Sequence, residues 1–332
     1  MKKRKFGSTD LMVSEVGFGA WAIGGPAMAG DIPIGWGETN DKESISALKK
    51  AFDSGINFFD TADFYGLGHS EKLIGNTFGN DSSVIIASKV GHRLSDKQQI
   101  YTDYSKSYII EACENSLKRL KRDQIDYYQL HTAKKADLKK SECIEALETL
   151  KEQGKIRFWG VSLNTYNPFP EAEYLIDNGL GSGLQIVFNI LNQRTRDVIS
   201  KASDASFGII ARMPLQFGLL ANKFTQDAKF GENDHRRFRL KESFLREVIP
   251  ELSVVWEMAA AYNIPPAAFN LSFILSFTGV STVIPGIKNT AQATVNAENI
   301  NILSQKDKKA IIDLYETRLR HLLDDLEREE TK

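Results

Sequence analysis

Three ionisable side chains close short, mostly apolar runs, and a fourth follows the first of them. Asp60 ends Ile56-Asn57-Phe58-Phe59, Lys89 ends Val84-Ile85-Ile86-Ala87-Ser88, and Tyr65 follows Asp60 by five residues in the glycine-flanked loop Tyr65-Gly66-Leu67-Gly68. His131 ends a third run, Ile125-Asp126-Tyr127-Tyr128-Gln129-Leu130. Runs of this length and composition read as buried strands, so a carboxylate, a phenol, an ammonium and an imidazole leave three successive strands in one direction. Such groups hold and transfer protons. Singly, each has an ordinary structural reading: an ion pair for Asp60 and Lys89, a rim residue with a satisfied hydroxyl for Tyr65, a satisfied core imidazole for His131. Occurring together, in order, at successive strand ends, they argue for a site. His69, His92, His235 and His321 fall in loops or on a surface helix, and His131 is the histidine expected to end a strand.

The elements that must carry these groups alternate. Strands are expected over Val13 to Ala20, Ile56 to Asp60, 84–89, 125–131, 157–162, 184–188, 207–212 and 281–284. Helices are expected over 105–120, 141–153, 170–178, 195–205, 247–262, 266–277 and 290–299, with further ones capped by Asp41 and started at Ser70. Eight strands separated by helices favour closure into a parallel (β/α)₈ TIM barrel, with residues 1–332 as one domain, and the rim at the strand ends is where such barrels place active sites. An N-terminal hairpin over residues 4–13 turns at Gly7-Ser8-Thr9-Asp10, and an extra helix covers 305–326, followed by a solvated tail, Glu327 to Lys332. A long Gly-rich loop, 22–41, holds Trp36 and makes a substrate wall. The basic stretch 222–246, with Lys223, Lys229, His235, Arg236, Arg237, Arg239 and Lys241, reads either as a loop closing over the rim or as a solvated surface.

Composition narrows the functions. With Lys+Arg 42 against Asp+Glu 43 the formal net charge is -1, so no global field recommends nucleic acid or a membrane as partner. The basic start, Met1 to Gly7, is followed by no apolar stretch of signal-peptide length, and no run reaches ~18 apolar residues, so a cytoplasmic protein is expected. Cys113 and Cys143 lie in helical patterns without metal-like or redox spacing and read as buried small hydrophobes; no metal site is expected.

Asp60, Tyr65, Lys89 and His131 in this order resemble the tetrad of the aldo-keto reductase family. The similarity continues through Gly17-Phe18-Gly19, Gly154-Lys155-Ile156-Arg157, Gly160-Val161-Ser162-Leu163-Asn164, Pro214-Leu215-Gln216-Phe217-Gly218-Leu219-Leu220 and Val283-Ile284-Pro285-Gly286-Ile287-Lys288. The combination is specific where each piece alone is weak. The resemblance implies reduction of an aldehyde or ketone, a sugar-type carbonyl among the candidates, by NADPH: Tyr65 gives the proton, Lys89 favours its phenolate, Asp60 fixes Lys89 and His131 orients the carbonyl oxygen. It places Ser162, Asn164 and Gln185 at the nicotinamide carboxamide and Lys288 at the 2′-phosphate. Gln292 and Asn296 fall on the adenosine side, and Gly286-Ile287-Lys288 before a helix start makes a nest of backbone donors suited to phosphate. Trp21, Pro214, Leu215, Gly218, Leu220, Lys223 and Arg237 complete the implied cofactor set. Strand-end polar capping and an exposed surface lysine are the ordinary readings of the carboxamide and phosphate groups. The sequence departs from the family at Arg212, where many members carry an aromatic that stacks on the nicotinamide; a guanidinium can stack too, or can meet an anionic substrate. Two other functions compete with the reductase: a redox-sensing regulatory subunit of the same fold, and a barrel hydrolase, for which no second acid ends a neighbouring strand. A small-molecule carbonyl substrate and a monomer or small homo-oligomer are expected.

Overall fold

The computed structural model describes residues 1–231, 234 and 236–330. Its centre is a ring of parallel strands: Phe18–Gly19 (β1), Phe58–Asp60 (β2), Ile85–Val90 (β3), Ile125–His131 (β4), Ile156–Ser162 (β5), Gly183–Val187 (β6), Gly208–Arg212 (β7) and Thr282–Ile284 (β8). They hydrogen-bond in chain order, and β3 is buried along its whole length, as parallel strands are when helices cover one face and the barrel interior the other. Bridges from Val16 to Val283 and from Gly19 to Gly286 bring the last strand back to the first. There the Gly17 and Gly19 N–H groups donate to the carbonyls of Val283 and Pro285 at 2.8 and 2.9 Å.

One end of the ring is plugged. The hairpin Lys3–Lys5 with Met12–Ser14 carries Phe6 into the barrel floor, edge-on to Tyr127 with ring centroids 4.9 Å apart. Phe58, Ile210 and Ile284 join it in one apolar cluster. Room for the ring comes from Gly183 and Gly208: a Cβ on either would sit 2.6 Å from Phe6 carbons, closer than packing allows. Ligands therefore reach the barrel from the opposite rim, where the strands end.

Several boundaries differ from the sequence expectation for local reasons. Asn40, not Asp41, caps the first long helix, its Oδ1 accepting from the Lys42 and Glu43 N–H groups at 2.9 and 3.2 Å. Ser70 lies inside the helix His69–Phe78, behind the left-handed Gly68. Its buried hydroxyl donates to the Ala20 carbonyl at 2.9 Å and sits 2.8 Å from Thr61 Oγ1, so it ties β1 and β2 to that helix. The helix expected from 247 begins at Glu242 and runs to Ala261 through Pro250. Burial of Phe244, Leu245 and Val248 gives roughly 1.5–3 kcal/mol each and offsets the ~3 kcal/mol that an internal proline costs. The 22–41 and 91–104 loops each contain a small hairpin, Met28–Ala29 with Ile32–Pro33 and His92–Leu94 with Ile100–Thr102. Within 222–246, residues Arg236–Arg239 form a helical turn, and His235 lies outside the described residues.

The C-terminal segment is helical over Gln305–Leu314, passes through a π turn at Tyr315–Leu319, and continues as Arg320–Glu330. The expected tail at Glu327 is thus still helix, held where Arg194 pairs with both Asp324 and Glu327. Cys113 and Cys143 are buried free thiols, pushed up to about 12 and about 11 by burial. They are inert packing groups at neutral pH. Among the described residues no helix is long and apolar enough to cross a membrane.

Candidate active site

Strand register puts the four ionisable residues at one rim. Asp60 pairs across to Ala87, Lys89 to Gln129, His131 to Ser162, and Ser162 to Gln185. The Lys89 ammonium, fully buried, donates to Asp60 Oδ2 at 2.6 Å, to the Thr61 carbonyl at 2.8 Å and to Tyr65 Oη at 3.2 Å. Those three contacts use all the donors an ammonium has. Burial alone would lower the Lys89 pKa, but Asp60 and then Tyr65 outweigh it and hold the group above its ordinary value, so Lys89 is charged at neutral pH. Because Lys89 donates to Oη, the phenol's own proton is free to be given elsewhere. Tyr65 lines a cavity of about 1210 Å³ at the rim, so that proton has a destination.

Tyr65 owes its place to a tight turn. Gly66 adopts φ 58°, and a Cβ there would lie 1.9 Å from the Gly24 carbonyl oxygen, so the two loops meet backbone to backbone. Trp21, on the first of them, stacks on the Tyr65 ring at 6.0 Å. The second Asp60 oxygen, Oδ1, accepts from Gln185 Nε2 at 2.7 Å and Gln129 Nε2 at 3.1 Å. The carboxylate is thereby fixed at both oxygens, and a charged, buried acid held this way cannot swing.

His131 stands edge-on to Tyr65 with centroids 5.9 Å apart. Burial, the neighbouring His92, and the Lys89 and Arg212 cations hold its pKa well below the ordinary histidine value, so the ring is neutral and carries one N–H donor. His92 stacks parallel to it at 4.3 Å and 6° and is itself pulled down to about 4 by burial. His92 and Gln129 were missed from the sequence. Gln129 had a signal, being two residues before His131 on the same strand and so on the same face, whereas nothing local marks His92 in its loop.

Sixteen of the nineteen candidate residues line this one cavity: Trp21, Asp60, Tyr65, His131, Ser162, Gln185, Arg212, Pro214, Leu215, Gly218, Lys223, Arg237, Gly286, Lys288, Gln292 and Asn296. Lys89 lies buried beneath Tyr65. Asn164 and Leu220 are elsewhere: Asn164 Oδ1 accepts from the Tyr166 and Asn167 N–H groups at 3.0 and 3.1 Å, closing its own turn, and Leu220 is fully buried. Ser162 Oγ donates to Gln185 Oε1 at 3.2 Å, so Gln185 is engaged at both ends of its amide. Arg212 Nη2 donates to the Leu163 carbonyl at 3.1 Å and to Thr165 Oγ1 at 3.0 Å, while Nη1 reaches Met213 Sδ at 3.2 Å.

The far end of the cavity is cationic. Lys288 Nζ donates to the Trp36 carbonyl at 3.0 Å, and burial and then Arg236 lower its pKa. Asn289 caps the helix Thr290–Glu298 by accepting from the Gln292 N–H at 2.9 Å, and Gln292 Oε1 accepts from the Lys288 N–H at 2.8 Å. Lys223, Arg236, Arg237 and Lys288 line the cavity together with amide and hydroxyl groups such as Gln185 and Ser162. This donor set suits an elongated ligand with an anionic end and a neutral one.

The model of the aldo/keto reductase family matches residues 15–316. The oxidoreductase YqkF of Bacillus subtilis strain 168 is 32% identical over 322 residues, covering 94% of this chain and 95% of its own. The NADH-specific methylglyoxal reductase of Escherichia coli K12 is 28% identical over 334 residues, covering 95% and 99%. Among solved structures, the holo form of an aldo-keto reductase from Bacillus halodurans matches with a TM-score of 0.76 at 27% identity, covering 96% of this chain and 99% of that one. An aldo-keto reductase from Klebsiella pneumoniae in complex with NADPH matches at 0.69 and 25%, covering 96% and 98%. With the family match running over nearly its whole length, the chain belongs to the aldo/keto reductase family of oxidoreductases.

Proposed function

We propose that the protein reduces an aldehyde or ketone to the alcohol with NADPH, Tyr65 supplying the proton. The observation that carries this reading is the Lys89 ammonium, 2.6 Å from Asp60 and 3.2 Å from Tyr65 Oη, beneath a phenol that faces the cavity. Nicotinamide, when bound, supplies hydride to the carbonyl carbon. The protein's task is then the oxygen, on which negative charge develops. Tyr65 donates its proton there, and the phenolate left behind is stabilised by the adjacent ammonium. Asp60, locked by Gln129 and Gln185, keeps that ammonium in place, so no group need reorganise as charge moves. His131, neutral and with one N–H, orients the carbonyl oxygen.

The donor set fits a phosphorylated dinucleotide. Lys288 and Gln292, with Lys223, Arg237, Gly286 and Asn296, would hold the adenosine and phosphate end; Ser162 and Gln185 would meet the carboxamide, flanked by Trp21 and Arg212. At about 1210 Å³ the cavity exceeds the roughly 300–1,000 Å³ of drug-sized sites, which leaves room for a small carbonyl beside the cofactor. The closely related question is NADPH against NADH, since one relative is NADH-specific by name. Fluorescence titration with both, and turnover on a panel of aldehydes and ketoses, tests the reading. NADPH should bind about ten- to a hundred-fold more tightly through a charge-assisted contact to its extra phosphate. Equal affinities would remove Lys288 from that role, and no turnover on any carbonyl would overturn the reductase.

A further inference from the structure

We propose that His92 is a positioning residue for His131, its ring holding the catalytic imidazole by stacking where a hydrogen bond would ordinarily do so. The inference rests on the role assigned to His131 above. A histidine that acts through one ring nitrogen is normally oriented by a hydrogen bond at the other. His131 Nδ1 is buried and finds no hydrogen-bond partner among the described residues, so that device is missing. What the ring has instead is a flat neighbour: His92 lies 4.3 Å away and 6° from parallel, a face-to-face contact that resists tilting of either imidazole away from the other.

His92 is fixed well enough to serve. Its Nε2 lies 2.9 Å from Thr132 Oγ1, its edge meets the Phe64 ring at 5.5 Å and 87°, and its backbone opens the hairpin paired with Ile100–Thr102. Thr132, the residue directly after His131, has φ 67°. A β-branched residue in the left-handed region is an outlier that persists where surrounding contacts impose it. Here its N–H donates to the Ser162 carbonyl at 2.8 Å, and the conformation sets its hydroxyl under His92. His131, Thr132 and His92 form one unit in which the strand end, the strained turn and the hairpin determine a single ring orientation.

The test compares His92→Ala, His92→Leu and His92→Phe with His131→Ala, reading kcat, KM, NADPH affinity and melting temperature. Alanine removes the ring, leucine fills volume without a flat face, and phenylalanine keeps the face but not the nitrogen. Misplacing a catalytic group typically costs about 10- to 100-fold, so kcat should fall by that order in the alanine and leucine variants with NADPH affinity unchanged. His92→Phe should restore most of the loss, which a residue valued only for its volume would not show. Parental kcat in all three His92 variants beside an impaired His131→Ala would overturn the inference and leave the reductase standing. Phenylalanine as slow as leucine would also overturn it, in favour of the Thr132 hydrogen bond. Parental kcat in His131→Ala would withdraw the role of His131 itself, and the inference with it.

Discussion

The two ends of the cavity are built differently. At the tetrad the three donors of Lys89 and both oxygens of Asp60 are engaged within the chain, by Thr61 just past β2, by Gln129 and Gln185 on β4 and β6, and by Tyr65 on the tight turn after β2. Around Lys288 the cations rest on a carbonyl, a carboxylate and aromatic rings. Lys288 donates to the Trp36 carbonyl, and Arg236 pairs with Asp234 and lies 5.7, 5.7 and 5.2 Å from the Trp36, Phe224 and Phe230 rings. Most of the first set lies on barrel strands, whereas Trp36, Arg236 and Lys288 lie outside them. Under the proposed function the first set is preorganised for chemistry, and a bound phosphate would have to replace partners in the second.

That contrast orders the expected effects. Lys89→Met should strike both chemistry and fold: kcat should fall by about 10²- to 10⁴-fold through loss of an effective proton donor, and removing one partner of a buried pair costs roughly 3–5 kcal/mol. Kinetics with a thermal melt would show both, and a stability loss without a kinetic one would reduce the tetrad to an ion pair. Lys288→Ala, at the exchanging end, should weaken NADPH about ten- to a hundred-fold while the melt is nearly unchanged, since a half-buried lysine on a carbonyl contributes little to the fold. A large fall in melting temperature would mean that both ends are equally built in. Arg212 lies between the two. With Nη2 committed to Leu163 and Thr165, it is expected to present its face to the nicotinamide rather than pair with an anion. Arg212→Tyr should then keep NADPH affinity and leave the KM of acidic relative to neutral aldehydes within a few-fold; a selective rise for the acids would contradict this.

The smallest effect is on stability against pH. His92 and His131 have pKa values below the unfolded value of about 6.5, at about 4 for His92. The unfolded chain therefore takes protons first, and stability present above pH 6.5 is lost as pH falls towards 4. Melts between pH 8 and 4 should decline less steeply for His92→Phe than for the parent. Parallel declines would show that the stacked pair does not resist protonation.

The tetrad end was legible in the sequence because a strand end has fixed geometry. Asp60, Lys89 and His131 each closed an apolar run, and period two along β4 would have added Gln129. Most barrel strands were read to within a residue or two, 125–131 as found, but the first was not: of Val13 to Ala20 only Phe18–Gly19 joins the barrel, while Met12–Ser14 pairs with Lys3–Lys5 in the hairpin. What could not be read lies in loops and caps. Whether Asn40 or Asp41 takes a cap depends on which side chain turns towards the first free N–H groups, and composition leaves that open. Ser70 has a capping residue's chemistry but is turned inward by Gly68. His92 acquires its meaning from a ring 39 positions away in the chain. Asn164 matched a motif, yet its amide closes the turn after β5.

The central claim is that Tyr65 is the proton donor to the carbonyl oxygen. Tyr65→Phe removes one oxygen from a half-buried rim residue and leaves the Lys89–Asp60 pair, 2.6 Å apart, intact. Measured side by side, kcat should fall by at least about 10²-fold with NADPH affinity and melting temperature nearly those of the parent. A Tyr65→Phe protein that turns over within a few-fold of the parent, folded and binding NADPH as before, would contradict the account.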